Sequence, residues 1–124
     1  MPTTSGSLLL TQKSFDAADE VRRFEKGTVE VVNVADHSIA RATFLPGWRW
    51  SEHVRPIAQT ELCEVEHLGY VASGRMTVRM NDGSEAEFKA GDVMAVKPHH
   101  DAWVTGSEPC VVIDFAGAAT YAKK

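Results

Sequence analysis

Metal-binding side chains are concentrated in one stretch of the chain, residues 47–74, which holds two histidines, one cysteine and several glutamates. Thiolate and imidazole are the ligands that zinc and similar metals prefer, and carboxylate is their harder companion. A second cluster, His99-His100-Asp101, follows Pro98 further along the chain. The pattern predicts that the two clusters converge on one metal ion inside a small β-barrel.

Length and composition limit the classes of function. A chain of 124 residues with 44% hydrophobic residues can bury one ordinary core. Its net charge of -4 argues against binding of nucleic acid, which needs a basic surface. The apolar run at residues 8–10 is too short for a signal peptide or a membrane span. We therefore expect a cytoplasmic protein with no membrane association, whose two cysteines stay reduced.

Most of the chain follows the two-residue period of β-strands. Residues 28–34 and 38–45 alternate and pair back on each other, and residues 75–80 alternate most clearly. Asp82-Gly83 is a strong hairpin turn, after which residues 85–88 return. Residues 101–105 and 110–115 are predicted to form the last hairpin. Nine or ten short strands with turns between them indicate an all-β sandwich or barrel.

Two further segments and the division of the chain into regions complete the prediction. Residues 14–26 predict a short helix, which Asp16 caps and Gly27 ends. Residues 48–54 predict a strand with His53 facing inward and with Trp48 and Trp50 on the opposite face. These two large aromatic side chains are expected to fill the core or an interface between the barrel and a dimer partner rather than to stack on a substrate. We assign residues 1–27 to an N-terminal arm and short helix, 28–116 to the barrel and 117–124 to a frayed tail, all within one domain.

The turns and their spacing resemble the cupin superfamily. The first cupin motif is a glycine, five residues, His-x-His, three or four residues, a glutamate, six residues and a glycine. Gly47 and His53 match its opening, and His67 and Gly74 match its close, with His67 in the place of the glutamate. Arg55 takes the place of the second histidine, and an insertion separates the two halves.

The second cupin motif begins Gly-Asp and continues with Pro-x-Gly and a histidine. Gly91-Asp92 matches the opening, residues 97–99 replace the Pro-x-Gly, and the histidine position falls on Ala102. A shift by two keeps a side chain on the same strand face, so His100 is its substitute. The resemblance covers residues 45–115 and implies a double-stranded β-helix, or jelly-roll, barrel of the cupin type. The short N-terminal helix predicted from residues 14–26 would precede this barrel.

Together the motifs and the strand period give a candidate ligand set. Glu61 and Cys63 are two residues apart and share a strand face, with His67 following on the same face. The predicted metal ligands are His53, Cys63, His67 and His100, with Glu61 as an additional candidate. Two or three imidazoles with a thiolate favour zinc, and iron, nickel and manganese are the alternatives.

A cysteine and an aspartate near the end of the chain are not predicted to be metal ligands. Cys110 is expected to pack in the core, and Asp114 to pair with an arginine or to face solvent. The sequence has no Gly-x-Ser-x-Gly elbow and no Cys-x-x-Cys motif, so it does not support triad hydrolase chemistry. A nucleophile pair of Cys63 and His67 is an alternative, but residues i and i+4 on a strand are about 13 Å apart. Such a pair would require the chain to bend between them.

Three hypotheses for function follow. In the first, the protein is a small metalloenzyme that acts on a small organic molecule by dioxygenation, isomerisation or lyase chemistry. In the second, it is a non-catalytic module whose metal-lined pocket holds a small molecule or anion. In the third, the barrel holds no metal. Because cupins commonly pair through their sheets, and because residues 8–10 form an apolar patch, we also expect a homodimer.

Overall fold

The computed structural model describes residues 9–123, in which nine β-strands form two antiparallel sheets. In chain order the strands are β1 (Glu20–Phe24), β2 (Gly27–Val34), β3 (His37–Phe44), β4 (His67–Ser73), β5 (Arg75–Met80), β6 (Glu85–Lys89), β7 (Val93–Val96), β8 (His100–Val104) and β9 (Cys110–Asp114). The larger sheet has the order β1-β2-β3-β9-β4-β7, and the smaller sheet has the order β6-β5-β8. The apolar core includes buried side chains from both sheets.

The strongest local patterns fold as the sequence predicts. β2 pairs with β3 through a two-residue turn at Ala35-Asp36, where both residues have positive φ angles of 49° and 65°. Such turns match the twist of the flanking strands. β5 pairs with β6 across the Asp82-Gly83 turn, and the Asp82 carboxylate accepts hydrogen bonds from the amide and the hydroxyl of Ser84. The predicted hairpins in these two regions are confirmed.

The predicted N-terminal helix is wrong. Phe15–Ala17 forms a single 3₁₀ turn, and Glu20–Phe24 is strand β1, which extends the large sheet by pairing with β2. Asp19, within the predicted helix, serves the sheet instead: its carboxylate binds Lys13 and accepts a hydrogen bond from the backbone N–H of Asn33 at 2.7 Å. Pairing with an available strand edge overrides the local helix pattern here.

The predicted strand over residues 48–54 is also wrong. Two single-turn helices occupy this region, α1 (Trp50–His53) and α2 (Arg55–Ala58), with Pro56 in the first turn of α2. Trp48 and Trp50 are 1% and 2% exposed, so both pack in the core and neither lies at a dimer surface. The Trp48 ring lies 4.1 Å from that of Phe44, centroid to centroid. Burial of these large side chains outweighs the strand pattern.

The last predicted hairpin does not form, because β8 and β9 belong to different sheets. β8 pairs with β5, whereas β9 lies between β3 and β4. The prediction of a frayed C-terminal tail is wrong. Residues 116–123 form an ordered segment that packs on the core, and we call it the C-terminal strap. Two of its side chains, Ala118 and Tyr121, are buried in the core.

The architecture is a jelly-roll-like sandwich. Within residues 9–123 the two sheets share no strand, so they do not close into the predicted barrel. Residues 1–8 of the predicted N-terminal arm lie outside the described residues, and its described part carries the exposed side chains of Leu9 and Leu10. Within residues 9–123, no helix has the length and the apolar character needed to cross a bilayer.

Candidate metal centre

Three of the predicted ligands meet at one end of the sandwich. The ligand atoms of Cys63, His67 and His100 lie within 4.8 Å of one another. Cys63 and His100 are buried, and the side chain of His67 is 12% exposed. Each of the three residues stands at the start of an ordered element or at a backbone bridge, so the sheets position all three side chains.

A crossing of the chain between the two sheets brings Cys63 next to His67. The backbone of Cys63 bridges to His100 on the small sheet, with its N–H donated to the His100 carbonyl at 2.8 Å. Residues 64–66 then cross to the large sheet, where His67 opens β4 opposite Val96. The Cys63 Sγ and His67 Nε2 atoms are therefore 3.8 Å apart. The separation of about 13 Å expected for i and i+4 on one strand does not apply.

The two imidazoles are oriented by acceptors on their Nδ1 sides. His67 Nδ1 lies 2.6 Å from Asp114 Oδ2, and His100 Nδ1 lies 2.7 Å from the carbonyl oxygen of Lys97. A hydrogen bond donated from Nδ1 leaves Nε2 as the ligand atom of each ring. This is the arrangement that metal-binding histidines commonly have, with the second nitrogen held by a carboxylate or a backbone carbonyl.

The charges of the cluster depend on one another. Burial by itself raises the pKa of Cys63, but interactions with His100 and His67 outweigh it and lower the pKa to about 7. Burial opposes protonation of His67, yet the bonds to Asp114 and Cys63 raise its pKa to about 9. The Asp114 carboxyl has a lowered pKa, because His67 and the amides of the strap outweigh its burial. The site thus stabilises a thiolate beside a cation.

The donor set fits a divalent metal ion of the zinc type. In a tetrahedral zinc site a thiolate sulfur and an imidazole nitrogen lie about 3.5 Å apart. The 3.8 Å between Cys63 Sγ and His67 Nε2 is close to that value. Cys63, His67 and His100 could therefore hold a metal ion after small side-chain movements.

The cluster lies between two spaces of different size. A small cavity of about 50 Å³ in the sandwich interior is lined by His67, His100 and Asp114 among mostly apolar side chains. An outer groove of about 430 Å³ is lined by Cys63 and by the C-terminal strap. Trp50 and Tyr121 line both spaces and so form the wall between them.

Residues 52–116 match the family model described as Cupin domain, which covers more than half of the chain. The chain belongs to the cupin family. The match begins just before His53, within the first motif, and continues beyond the end of β9. The cupin resemblance predicted from the sequence is therefore confirmed.

Solved structures share the fold of this cupin at low sequence identity. A cupin-like protein from Thermotoga maritima is 17% identical with a TM-score of 0.53, over 77% of this chain and 71% of that one. The polyketide cyclase RemF from Streptomyces resistomycificus is 16% identical with a TM-score of 0.61, over 88% and 80%. A protein of unknown function from Acidithiobacillus ferrooxidans is 19% identical with a TM-score of 0.59, over 80% and 88%. No curated protein gives a significant match.

The cupin fold places the two other predicted ligands outside the cluster. His53 ends helix α1, where its Nδ1 accepts a hydrogen bond from the backbone N–H of Arg49 at 3.0 Å. Glu61 is exposed, and one of its carboxylate oxygens lies 3.8 Å from the guanidinium of Arg55. Neither residue belongs to the group formed by Cys63, His67 and His100.

Asp114 is the site residue whose role the sequence did not predict. It neither pairs with an arginine nor faces solvent: its Oδ2 bonds His67, and its Oδ1 accepts the amides of Ala116 and Gly117. The alternation of side chains along β9 could have indicated that Asp114 points inward. Cys110, Val112 and Asp114 share one face of the strand, and all three are buried. An acid in phase with two core residues indicates an inward carboxylate. The prediction that Cys110 packs in the core is confirmed.

Proposed function

We propose that this cupin binds one divalent metal ion through Cys63 Sγ, His67 Nε2 and His100 Nε2. The observation that carries the proposal is the orientation of both imidazoles, whose Nδ1 atoms are engaged by Asp114 and by the Lys97 carbonyl. Their remaining nitrogens and the Cys63 sulfur lie within 4.8 Å of one another, as a single ion requires.

The donor set favours zinc, because thiolate and imidazole together are typical zinc ligands, with iron, nickel or manganese as alternatives. When bound, the ion supplies Lewis acidity, or oxygen activation if it is redox-active. Three protein ligands leave one position open, as in catalytic zinc sites rather than closed structural ones. This feature favours a small metalloenzyme over a non-catalytic binding module.

The surrounding residues have roles of their own in the proposed site. Asp114 holds His67 in one orientation through a bond that lies largely out of water, since its side chain is 10% exposed. Trp50 and Tyr121 form the wall between the outer groove and the interior cavity, which His67 and His100 line. A dry, oriented site of this kind suits dioxygenase, isomerase or lyase chemistry on a small organic molecule, which is the activity we propose.

Metal analysis of the protein purified without a chelator or an affinity tag tests the proposal. We expect about one equivalent of metal in the wild type, and loss of that metal when Cys63 and His67 are both replaced by alanine. The matched control replaces Cys110, the other buried cysteine, and His37, the exposed histidine at the start of β3. A full complement of metal in the Cys63→Ala, His67→Ala variant would show that the proposed ligands are wrong.

The geometry favours thiol chemistry as a second candidate function. Cys63, His67 and Asp114 are connected in the order of a nucleophile, a base and an orienting carboxylate. Iodoacetamide separates the two candidates, because a metal-bound thiolate is protected and a free one is not. Labelling of Cys63 that appears only after a chelator is added supports the metal centre, whereas equal labelling without the chelator supports the thiol nucleophile.

We also propose that the protein is a cytoplasmic homodimer. Both cysteines are free, which suits a reducing compartment. The outer face of the large sheet carries the exposed apolar side chains of Leu68, Tyr70, Val93 and Phe115. A second copy of the same face is a self-complementary partner for such a patch.

A further inference from the structure

The outer groove and the interior cavity differ in which ligands they reach. The groove contacts Cys63 but neither histidine, and the cavity contacts His67 and His100 but not Cys63. A space of about 50 Å³ is too small for an organic substrate, whereas the groove, at about 430 Å³, has the size of a small-molecule site. An organic molecule must therefore approach the centre from the groove.

We propose that the outer groove is the binding site for the molecule that reaches the metal centre, and that the C-terminal strap is its movable roof, held closed by Arg22. This inference rests on the proposed metal centre and adds the place and route of the substrate.

The strap covers the cluster at very short range. A Cβ atom added to Gly117 would lie 2.8 Å from both His67 Nδ1 and Asp114 Oδ2, so a residue without a side chain is needed where the strap passes the pair. Further along, the Tyr121 ring stands edge-on to His67, with 5.3 Å between the ring centroids. Its neighbour Ala122 and residues 119–120 line the groove. Movement of the strap would thus open the groove, which already reaches Cys63, to His67 as well.

Arg22 holds the part of the strap beyond Gly117, whereas Asp114 anchors its first two residues. The Arg22 side chain is 8% exposed, and its Nη1 donates to the carbonyl oxygens of Ala118 and Tyr121, both at 2.7 Å. Glu20 pairs with the other side of the guanidinium and keeps it oriented. These are charge-assisted bonds from one strand side chain to two strap carbonyls, 96 and 99 residues away in the sequence. Removing them should release the strap while β1 stays paired with β2.

The groove lining indicates the chemistry of the occupant. Most of its walls are apolar, formed by Ala58, Val65 and the alanines of the strap, and its charged groups are one acid, Glu64, and one base, Lys123. Such walls suit a molecule with an apolar body and no net charge. To reach the centre past Cys63 it needs one oxygen or nitrogen donor atom that can bind a metal.

N-Ethylmaleimide, a neutral and mainly apolar reagent, tests the route in the chelator-treated full-length protein. We expect Arg22→Gln to speed the labelling of Cys63 about tenfold or more, because two charge-assisted hydrogen bonds are lost. Ala119→Phe, which fills the groove, should slow it. Ala86→Phe, which places the same bulk on β6 outside the groove, should leave the rate unchanged.

Cys110 separates strap opening from unfolding, because it is fully buried in the core away from the groove. Labelling confined to Cys63 supports the proposal, and Arg22→Lys, a milder change, should act in the same direction. The proposal is overturned if Cys110 reacts in step with Cys63 in both Arg22 variants, or if the rate at Cys63 does not respond to Arg22 and Ala119. Metal content is measured on the same variants. A chain that binds no metal but keeps the labelling pattern defeats the metal centre alone.

Discussion

His67 Nδ1 and Asp114 Oδ2 lie 2.6 Å apart and join two strands of the large sheet across 47 residues of sequence. The same carboxylate accepts two strap amides through its other oxygen. One buried acid thus orients a ligand of the proposed centre and anchors the segment that covers it. Its replacement should affect the metal more than the fold.

Asp114→Asn is expected to lower metal affinity about 10- to 100-fold, because the amide cannot match the carboxylate as an acceptor for His67. Asparagine retains an oxygen for the amides of Ala116 and Gly117, so the strap should stay in place. Competition with a chromophoric chelator measures the affinity. Asp36→Asn, which removes the same charge from an exposed turn, is the control. Equal affinities in both variants would contradict the proposed role of Asp114.

Much of the fold could be predicted because a two-residue period and local turn chemistry decide it. β5 and β6 are joined by Asp82-Gly83, and every contact that fixes this hairpin is close in the sequence. The segments that could not be predicted depend on distant partners. β1 forms because β2 offers it an edge, and Trp50 enters a helix whose buried face the whole core determines. Local patterns carry little information about such partners.

For the site, too, the sequence predicts some features and not others: it indicates which residues are candidates, but not how they come together. Residue types and cupin spacing were enough to select Cys63, His67 and His100 as candidate ligands, together with His53 and Glu61, which lie outside the cluster. The meeting of the first three depends on the chain crossing between sheets at residues 64–66, which no strand period encodes. Applying one strand geometry to residues 61–67 gave the wrong distance between Cys63 and His67, and it also hid their alignment with Asp114.

His53 and His100 should respond differently to replacement, although both were predicted ligands. His53 closes the first turn of helix α1 by accepting the Arg49 amide, away from the cluster. We expect His53→Ala to retain full metal content. His100→Ala should weaken binding by more than about a hundredfold, beyond the loss expected for an outer-shell partner. Metal analysis of both variants after dialysis against metal-free buffer tests these expectations. Loss of metal from the His53 variant would add that residue to the ligand set.

The glycine that closes the first cupin motif is explained by a backbone contact. Gly74 has φ +77°, and a Cβ atom there would collide with the carbonyl oxygen of Pro109. Gly83 has φ +90° with no atom within 4 Å of such a Cβ, so it isolates the cost of the backbone conformation. We expect Gly83→Ala to cost about 1–2 kcal/mol, and Gly74→Ala about 3–5 kcal/mol. Urea unfolding measures both, and equal losses would contradict the contact with Pro109.

The proposed dimer can be tested on the outer face of the large sheet. Leu68 and Val93 are 48% and 71% exposed on the neighbouring strands β4 and β7, and both belong to the apolar patch. Replacing both with lysine places like charges opposite each other across a two-fold interface, and it should raise the dimer dissociation constant at least about a hundredfold. Val21→Lys is the control, because Val21 is 42% exposed on β1, at the opposite edge of the same sheet.

Light scattering at micromolar concentration should return a dimer for the wild type and the control, and a monomer for the double variant. A wild-type chain that is monomeric under these conditions would remove the dimer from the proposal, and a double variant that stays dimeric would place the interface elsewhere.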